Sequence, residues 1–281
     1  MRSRIFNKMT AREVEDYLAR GGNTIFVGVG VVEVHGALPI DCETIMPEAC
    51  ALEMAEQADG LAMINLPYFF PGGTIISNAT VQVSVRESID FLMTIGRSLV
   101  SQGFKKIFIV SGHGPSSLYV NAFCRDFFQE TKVHVCHINL ATAMRSYAPQ
   151  PDENDNPMAV MNKMMYGSYK KMNQINYLPV DPNGEEEARP PYDPESPQNK
   201  LNKYLRPLGG NTSILYASPE YHGGGRPFVS EEERLQVCEE GEKLIHEMVA
   251  NMHLDELKDA LDTYQNYVAE VEKKYPRVDR V

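Results

Sequence analysis

Tryptophan is absent from this 281-residue chain, so no pocket in it can grip a flat ring by indole stacking. Aromatic surface comes only from 14 Tyr and 11 Phe. Basic charge is scarce: 27 Lys and Arg stand against 38 Asp and Glu, a net charge of −11. A nucleic-acid binder needs a basic face to neutralise phosphates, and an anionic membrane asks for the same, so neither partner is expected. The five cysteines, Cys42, Cys50, Cys124, Cys136 and Cys238, are odd in number and form no CxxC. That argues against a disulfide framework or a thiolate zinc site and predicts a reduced, cytoplasmic setting. Long apolar runs are missing too. None reaches the roughly 18 residues of a membrane span. Residues 1–10 carry Arg2, Arg4 and Lys8 without the apolar core of a signal peptide.

What is present suits a globular chain: 43% hydrophobic and 23% charged residues. Thr10, with Glu13 three residues on, starts a helix with a capping box. Residues 24–30 (TIFVGVG) read as a buried strand, and 106–110 (KIFIV) as another. Residues 61–66 form a further short apolar run, and 133–139 a strand. Helices are expected at 47–58, with Pro47 in the first turn, and at 86–102, where Ile89, Leu92, Met93, Ile95 and Leu99 recur near helical period. A third follows from Ser116 to Gln129, and a short strand is expected from Ala79 to Ser84. Strands alternating with helices predict an α/β fold of three layers: a mostly parallel sheet flanked by helices on both faces.

From about 148 to 210 the composition shifts. Ten of the 18 prolines fall there, together with the run Glu185–Glu187, read as a solvated charge run, and a Met-rich stretch, 158–172, that can form one helix. The stretch reads as an insertion into a single domain spanning 1–281, serving as a lid or a subunit contact. Residues 212–217 look helical, and Gly223–Gly225 form a loop. Ser230, followed by Glu233, caps a strong amphipathic helix running to Met252, and an extra charged helix occupies 254–274, packed on the outside.

Polar clusters follow two of the strands. Glu33 and His35 stand two apart after the first, so an extended backbone points both to one side. Glu43 opens the next helix, with Asp41 beside it, and His113 ends a neighbouring strand. Imidazoles and carboxylates brought together by rigid elements are divalent-metal chemistry, and open α/β sheets place their sites at these strand ends. Asp41 is the fallback for Glu43. By spacing alone, ordinary satisfied histidines are the readier account.

Glu33-Val34-His35-Gly36, then Leu38-Pro39 and Glu43-Thr44, resembles the signature of the creatininase family. Phe108 to Gly114 is similar to that family's strand and Asn-Gly-His segment, and Asn211 to Leu215 with Pro219-Glu220 resembles its Glu-Thr-Ser segment. Ser77-Asn78-Ala79-Thr80 stands where the family has Phe-Pro-Gly-Thr, and Gly241-Glu242 lies in a similar closing helix. The resemblance covers roughly residues 5–250 outside the insertion. It implies an oligomeric α/β hydrolase with divalent metal at the strand ends, Zn, Mn or Fe, one or two ions per chain. Carried over by motif, Glu33, His35, Glu43 and His113 are the metal ligands. Departures are just as informative. Pro115 stands where creatinine hydrolases have a metal-binding Glu, Asn211 replaces another Glu, and Arg206 falls where a proton-handling His is usual.

These changes imply catalytic roles for Glu43, Arg206 and His222, and substrate binding by Asn78, Thr80, Gly114, Ser116 and Asn211. The expected reaction opens a small polar ring at a cyclic amide or related carbonyl. Creatinine itself is disfavoured, because the family's creatinine hydrolases stack its flat ring on Trp. One alternative is carbon–carbon bond hydrolysis of a cyclic diketone, as in family members resembling inosose-ring hydrolases. Another is a non-catalytic binding relative with a degraded metal site. The expected partners are a small-molecule substrate and further copies of the same chain in a homo-oligomer.

Overall fold

Every residue of β1 (Thr24–Val29) is buried, which is what a central strand between two helical layers requires. Parallel to it on one side runs β2 (Leu61–Met63), on the other β3 (Lys106–Ser111), and β4 (Val135–Asn139) closes the sheet in the order β2-β1-β3-β4. The register pairs Phe26 with Phe108 and Val29 with Ser111, so the carboxyl ends of the two central strands lie side by side. The sheet grows in one direction from β1 to β2 and in the other from β3 to β4. The crevice beside that reversal is where open α/β sheets hold ligands. The computed structural model describes residues 1–73, 78–149, 157–185, 190–208, 212, 215, 219–222 and 226–275, leaving aside the side chains of 157–159, 219 and 221.

Two cores cover the two faces. Phe26 and Phe108, stacked with centroids 5.0 Å apart, and Val110 point toward α2 (Cys42–Gln57), α6 (Pro157–Lys171) and α8 (Glu231–Asn251). Ile25, Val27, Ile107 and Ile109 point the other way, to α3 (Val85–Gln102) and α4 (Ser116–Thr131) with Phe69 and Tyr119. Alternation along each strand thus feeds both layers, as the sequence predicts. The remaining helices are α1 (Ala11–Ala19), α5 (Leu140–Tyr147), α7 (Pro197–Leu205) and α9 (Leu254–Lys274). Both expected caps form: Thr10 accepts from Glu13 N at 3.3 Å, and Ser230 from Glu233 N at 3.1 Å.

Three expectations change. Residues 79–84 make no strand. Val81 N bonds Val32 O at 2.9 Å, but this single backbone bond is not continued into a ladder, and the chain turns into α3 at the Ser84 cap. Helix α2 starts at Cys42, five residues before Pro47, so the proline lies inside it and leaves the Glu43 carbonyl without an intrahelical donor. The stretch read as an insertion contributes to the core: Met164, Met165 and Tyr169 of α6 are fully buried against α2 and α8. Beyond α6, Leu178 is still buried in the same core, and the described residues further on in the stretch are peripheral. There α7 has no buried residue, and Tyr192, Tyr204 and Leu208 are exposed. The expected helix at 212–217 and the Gly223–Gly225 loop fall mostly or wholly outside the described residues, as do Glu186 and Glu187.

Candidate metal centre

Beyond β1 the chain leaves the sheet and is braced from both sides. Glu33 N bonds Ile40 O at 2.9 Å, and Thr80 Oγ1 accepts Val34 N at 3.2 Å. Leu38 N returns to His35 O at 3.2 Å, closing a turn in which Gly36 takes φ +60°, a left-handed backbone that glycine adopts without strain. These bonds hold Glu33 and His35 over the strand ends while α2 delivers Glu43 from its first turn. The 219–222 turn, a short 3-10 helix, adds His222.

Glu33, His35, Glu43 and His222 each offer one ligand atom, and these atoms all lie within 4.8 Å of one another. His222 Nε2 donates to Glu33 Oε1 at 3.0 Å, and the His35 and His222 rings meet edge to face with centroids 4.8 Å apart. His113 stands against the group. Its Nδ1 hydrogen-bonds Glu43 and lies 3.2 Å from Glu33 Oε1, while Nε2 donates to the Pro71 carbonyl at 3.1 Å. A backbone carbonyl holding one ring N–H while the other nitrogen faces carboxylates is the usual outer support of a metal-binding imidazole.

Glu33 is 1% and Glu43 9% exposed. Burial opposes the charge on Glu33, but hydrogen bonds from His113 and His222 outweigh it and hold that carboxyl well below the usual range. Glu43 is pushed up, first by burial and then by the neighbouring Glu33. Burial alone would lower His113. The Glu43 charge and the hydrogen bonds to Glu33 and Glu43 overcome it and lift the imidazole to about 10. Two buried carboxylates thus share one imidazolium. Such a set is short of positive charge, and its oxygen and nitrogen donors fit a divalent cation.

The other predicted site residues are placed as follows. Asp41 accepts the Tyr169 hydroxyl at 2.6 Å, so Glu43 rather than Asp41 reaches the group. Asn78 is exposed in a turn, and Gly114 is exposed beside His113. Thr80 is spent on bracing Val34. Ser116 is fully buried under the Tyr119 hydroxyl, 3.0 Å away, so it has no free surface for a ligand. Arg206 lies in the turn after α7 and lines a cleft of about 640 Å³ with Tyr192, Glu195 and Lys200, whose lining includes none of Glu33, His35, Glu43 and His113. Asn211 lies outside the described residues. Sequence reasoning missed the Pro71 carbonyl and read His222 only as a base. No local motif marks either.

No curated protein matches this chain. Solved structures do. A tryptophan-to-alanine mutant creatininase aligns with TM-score 0.60 at 17% identity, covering 92% of this chain and 99% of that one. A glutamate-to-glutamine mutant creatininase of the Zn-Zn type aligns with TM-score 0.55 at 16% identity, covering 99% and 100%. A putative creatinine amidohydrolase from Bacteroides fragilis NCTC 9343 aligns with TM-score 0.53 at 18% identity, covering 89% and 98%. At such identities the likeness carries the fold alone. The family model described as creatininase, creatinine amidohydrolase, matches residues 7–171. That span takes in β1 to β4 and the Glu33, His35, Glu43 and His113 positions, and on it the chain belongs to the creatininase family.

Proposed function

We propose that the protein is a metal-dependent hydrolase that opens a small polar ring at a carbonyl, with creatinine not its substrate. The observation that carries this reading is the convergence of Glu33, His35 and Glu43 with His113 at the ends of β1 and β3. These residues would hold a divalent ion, Zn or Mn by analogy with the family. When bound, the ion supplies Lewis acidity, which lowers the pKa of water and polarises a carbonyl.

The chain's own residues do the rest. The Pro71 carbonyl fixes the His113 ring, so Nδ1 faces the carboxylates. Thr80 and Ile40 hold the Glu33–His35 backbone, so the donors need little reorganisation. Glu43, hydrogen-bonded to His113, is the group proposed to take a proton from the attacking water and return it to the leaving atom. Asn78 and Gly114, exposed near these ends, serve as substrate contacts.

A second reading, carbon–carbon hydrolysis of a cyclic diketone such as a keto-inositol, is favoured by the absence of tryptophan. A puckered, hydroxylated ring does not need a stacking plate. The test is metal content and turnover together. Chelator-free protein should carry stoichiometric Zn, Mn or Fe, and a panel of cyclic amides and keto-inositols should include a substrate. Glu43→Ala should lower its turnover by about 100-fold or more. Metal that stays far below one equivalent after reconstitution overturns both readings.

A further inference from the structure

We infer that His222 is itself a metal ligand, so that a bound ion ties the 219–222 turn to the ends of β1 and α2. This rests on the proposed metal chemistry and extends it to a segment that the sequence separates widely from the motif. Three observations carry it. The ligand atoms of Glu33, His35, Glu43 and His222 all lie within 4.8 Å of one another. Four ligands set tetrahedrally about 2.0–2.2 Å from one ion stand roughly 3.4 Å apart, so the four need shifts on the order of 1 Å to share a cation. Nε2 of His222 is the atom turned to Glu33 Oε1, 3.0 Å away, so a cation taking that carboxylate lies within reach of the same nitrogen. The ring also stands edge-on to His35, at 4.8 Å between centroids, as two imidazoles do when they approach one centre from different directions.

The alternative roles for His222 are a hydrogen-bond donor to Glu33 or a general base. They differ from a ligand role in what a substitution changes. Glutamine keeps an N–H for Glu33 but is a poor ligand, whereas alanine loses both functions. The exposed His253, 67% accessible, serves as control.

The experiment uses the full chain, stripped of metal with a chelator and titrated with Co²⁺ as the probe. Affinity is read by chelator competition, coordination by the visible d–d absorption, and the 219–222 turn by amide hydrogen exchange. The wild type and His253→Ala should bind Co²⁺ alike, with slower exchange in the peptide covering 219–222. Both His222→Ala and His222→Gln should weaken binding at least about 10-fold, alter the d–d bands and lose the added protection. Matching far-ultraviolet spectra and melting points of the metal-free proteins exclude misfolding, and His222→Gln stands in if the alanine variant does not fold. Rescue of affinity and bands by His222→Gln would reduce His222 to a hydrogen-bond donor and overturn the inference. Unchanged affinity and bands in His222→Ala would overturn it as well, while leaving the proposed metal function intact. Failure of the wild type to bind Co²⁺ would overturn that function and this inference together.

Discussion

Glu48 lies one and a half turns beyond Glu43 on α2, yet it belongs to a different neighbourhood. It is 4% exposed, lines a cleft of about 440 Å³ with Tyr68 and Phe91, and accepts Asn65 N at 2.7 Å. Burial pushes its carboxyl up from 4.5 to about 7, against the pull of the Asn65 and Leu66 amides. The folded state therefore holds a proton that the unfolded chain releases near pH 4.5. Between these values the folded state binds more protons, so stability falls as pH rises, by on the order of 3 kcal/mol once pH passes 7. Glu48→Gln should flatten this decline. Thermal melts from pH 5 to 8 should show the variant gaining on the wild type as pH increases, and parallel curves would contradict the assignment. Nothing in the sequence sets Glu48 apart from other helical glutamates. Glu33, His35 and Glu43 are legible because they sit within eleven positions of one another around a strand end. The part played by His222 is not, because it depends on where a distant turn lands.

At the scale of elements, the crossing of α6 and α8 is the closest backbone approach at any described glycine. A Cβ on Gly241 would lie 1.8 Å from Lys163 O, and one on Gly167 would lie 2.1 Å from Gly241 C. Both obstacles are backbone, which no rotamer change relieves. Gly241→Ala must part the helices and loosen Met164, Met165 and Tyr169 from the core. The expected loss is about 3 kcal/mol, a melting point lower by roughly 6 °C or more, while an exposed Glu→Ala change on the same helix should leave it unmoved. Far-ultraviolet melts of the two variants decide this. A second device at this scale joins three helices: Lys171 of α6 pairs with the buried Glu53 of α2, and His246 of α8 bonds the same carboxylate at 2.7 Å. Strand and helix types were readable from periodicity and caps for β1, β3, β4, α1, α3, α4, α8 and α9, but not at 79–84, where the expected strand does not form. The start of α2 was not readable either, because Pro47 reads as a first-turn residue and only tertiary contact keeps it in a helix interior.

At the scale of the molecule, the parallel sheet and its two helical layers follow from the alternation of strands and helices. Which helix lies on which face does not, since burial on both sides leaves β1 with no polar face to orient it. The Met-rich segment within the Pro-rich stretch is readable as one helix, but which partners it packs against, α2 and α8, is set only by the assembled fold. Among the described residues no helix is long and apolar enough to cross a membrane. A ligand that binds only the folded molecule stabilises all of it. At a free zinc concentration 100 times the dissociation constant the gain is about 2.7 kcal/mol, or roughly 5–10 °C in melting point for a chain of this size. Stripping with EDTA should remove that shift and zinc should restore it. Identical melts would contradict a metal-binding fold.

Glu33 and His222 meet across 189 positions. The length-dependent entropy of closing such a segment is about 4–5 kcal/mol, a cost met only once both cores are assembled. While the polypeptide is still emerging during synthesis, Glu33, His35 and Glu43 exist long before their distant companion. An ion captured early would rest on an incomplete set and leave readily. With His222 among its ligands, retention of an ion would depend on a finished copy of the chain.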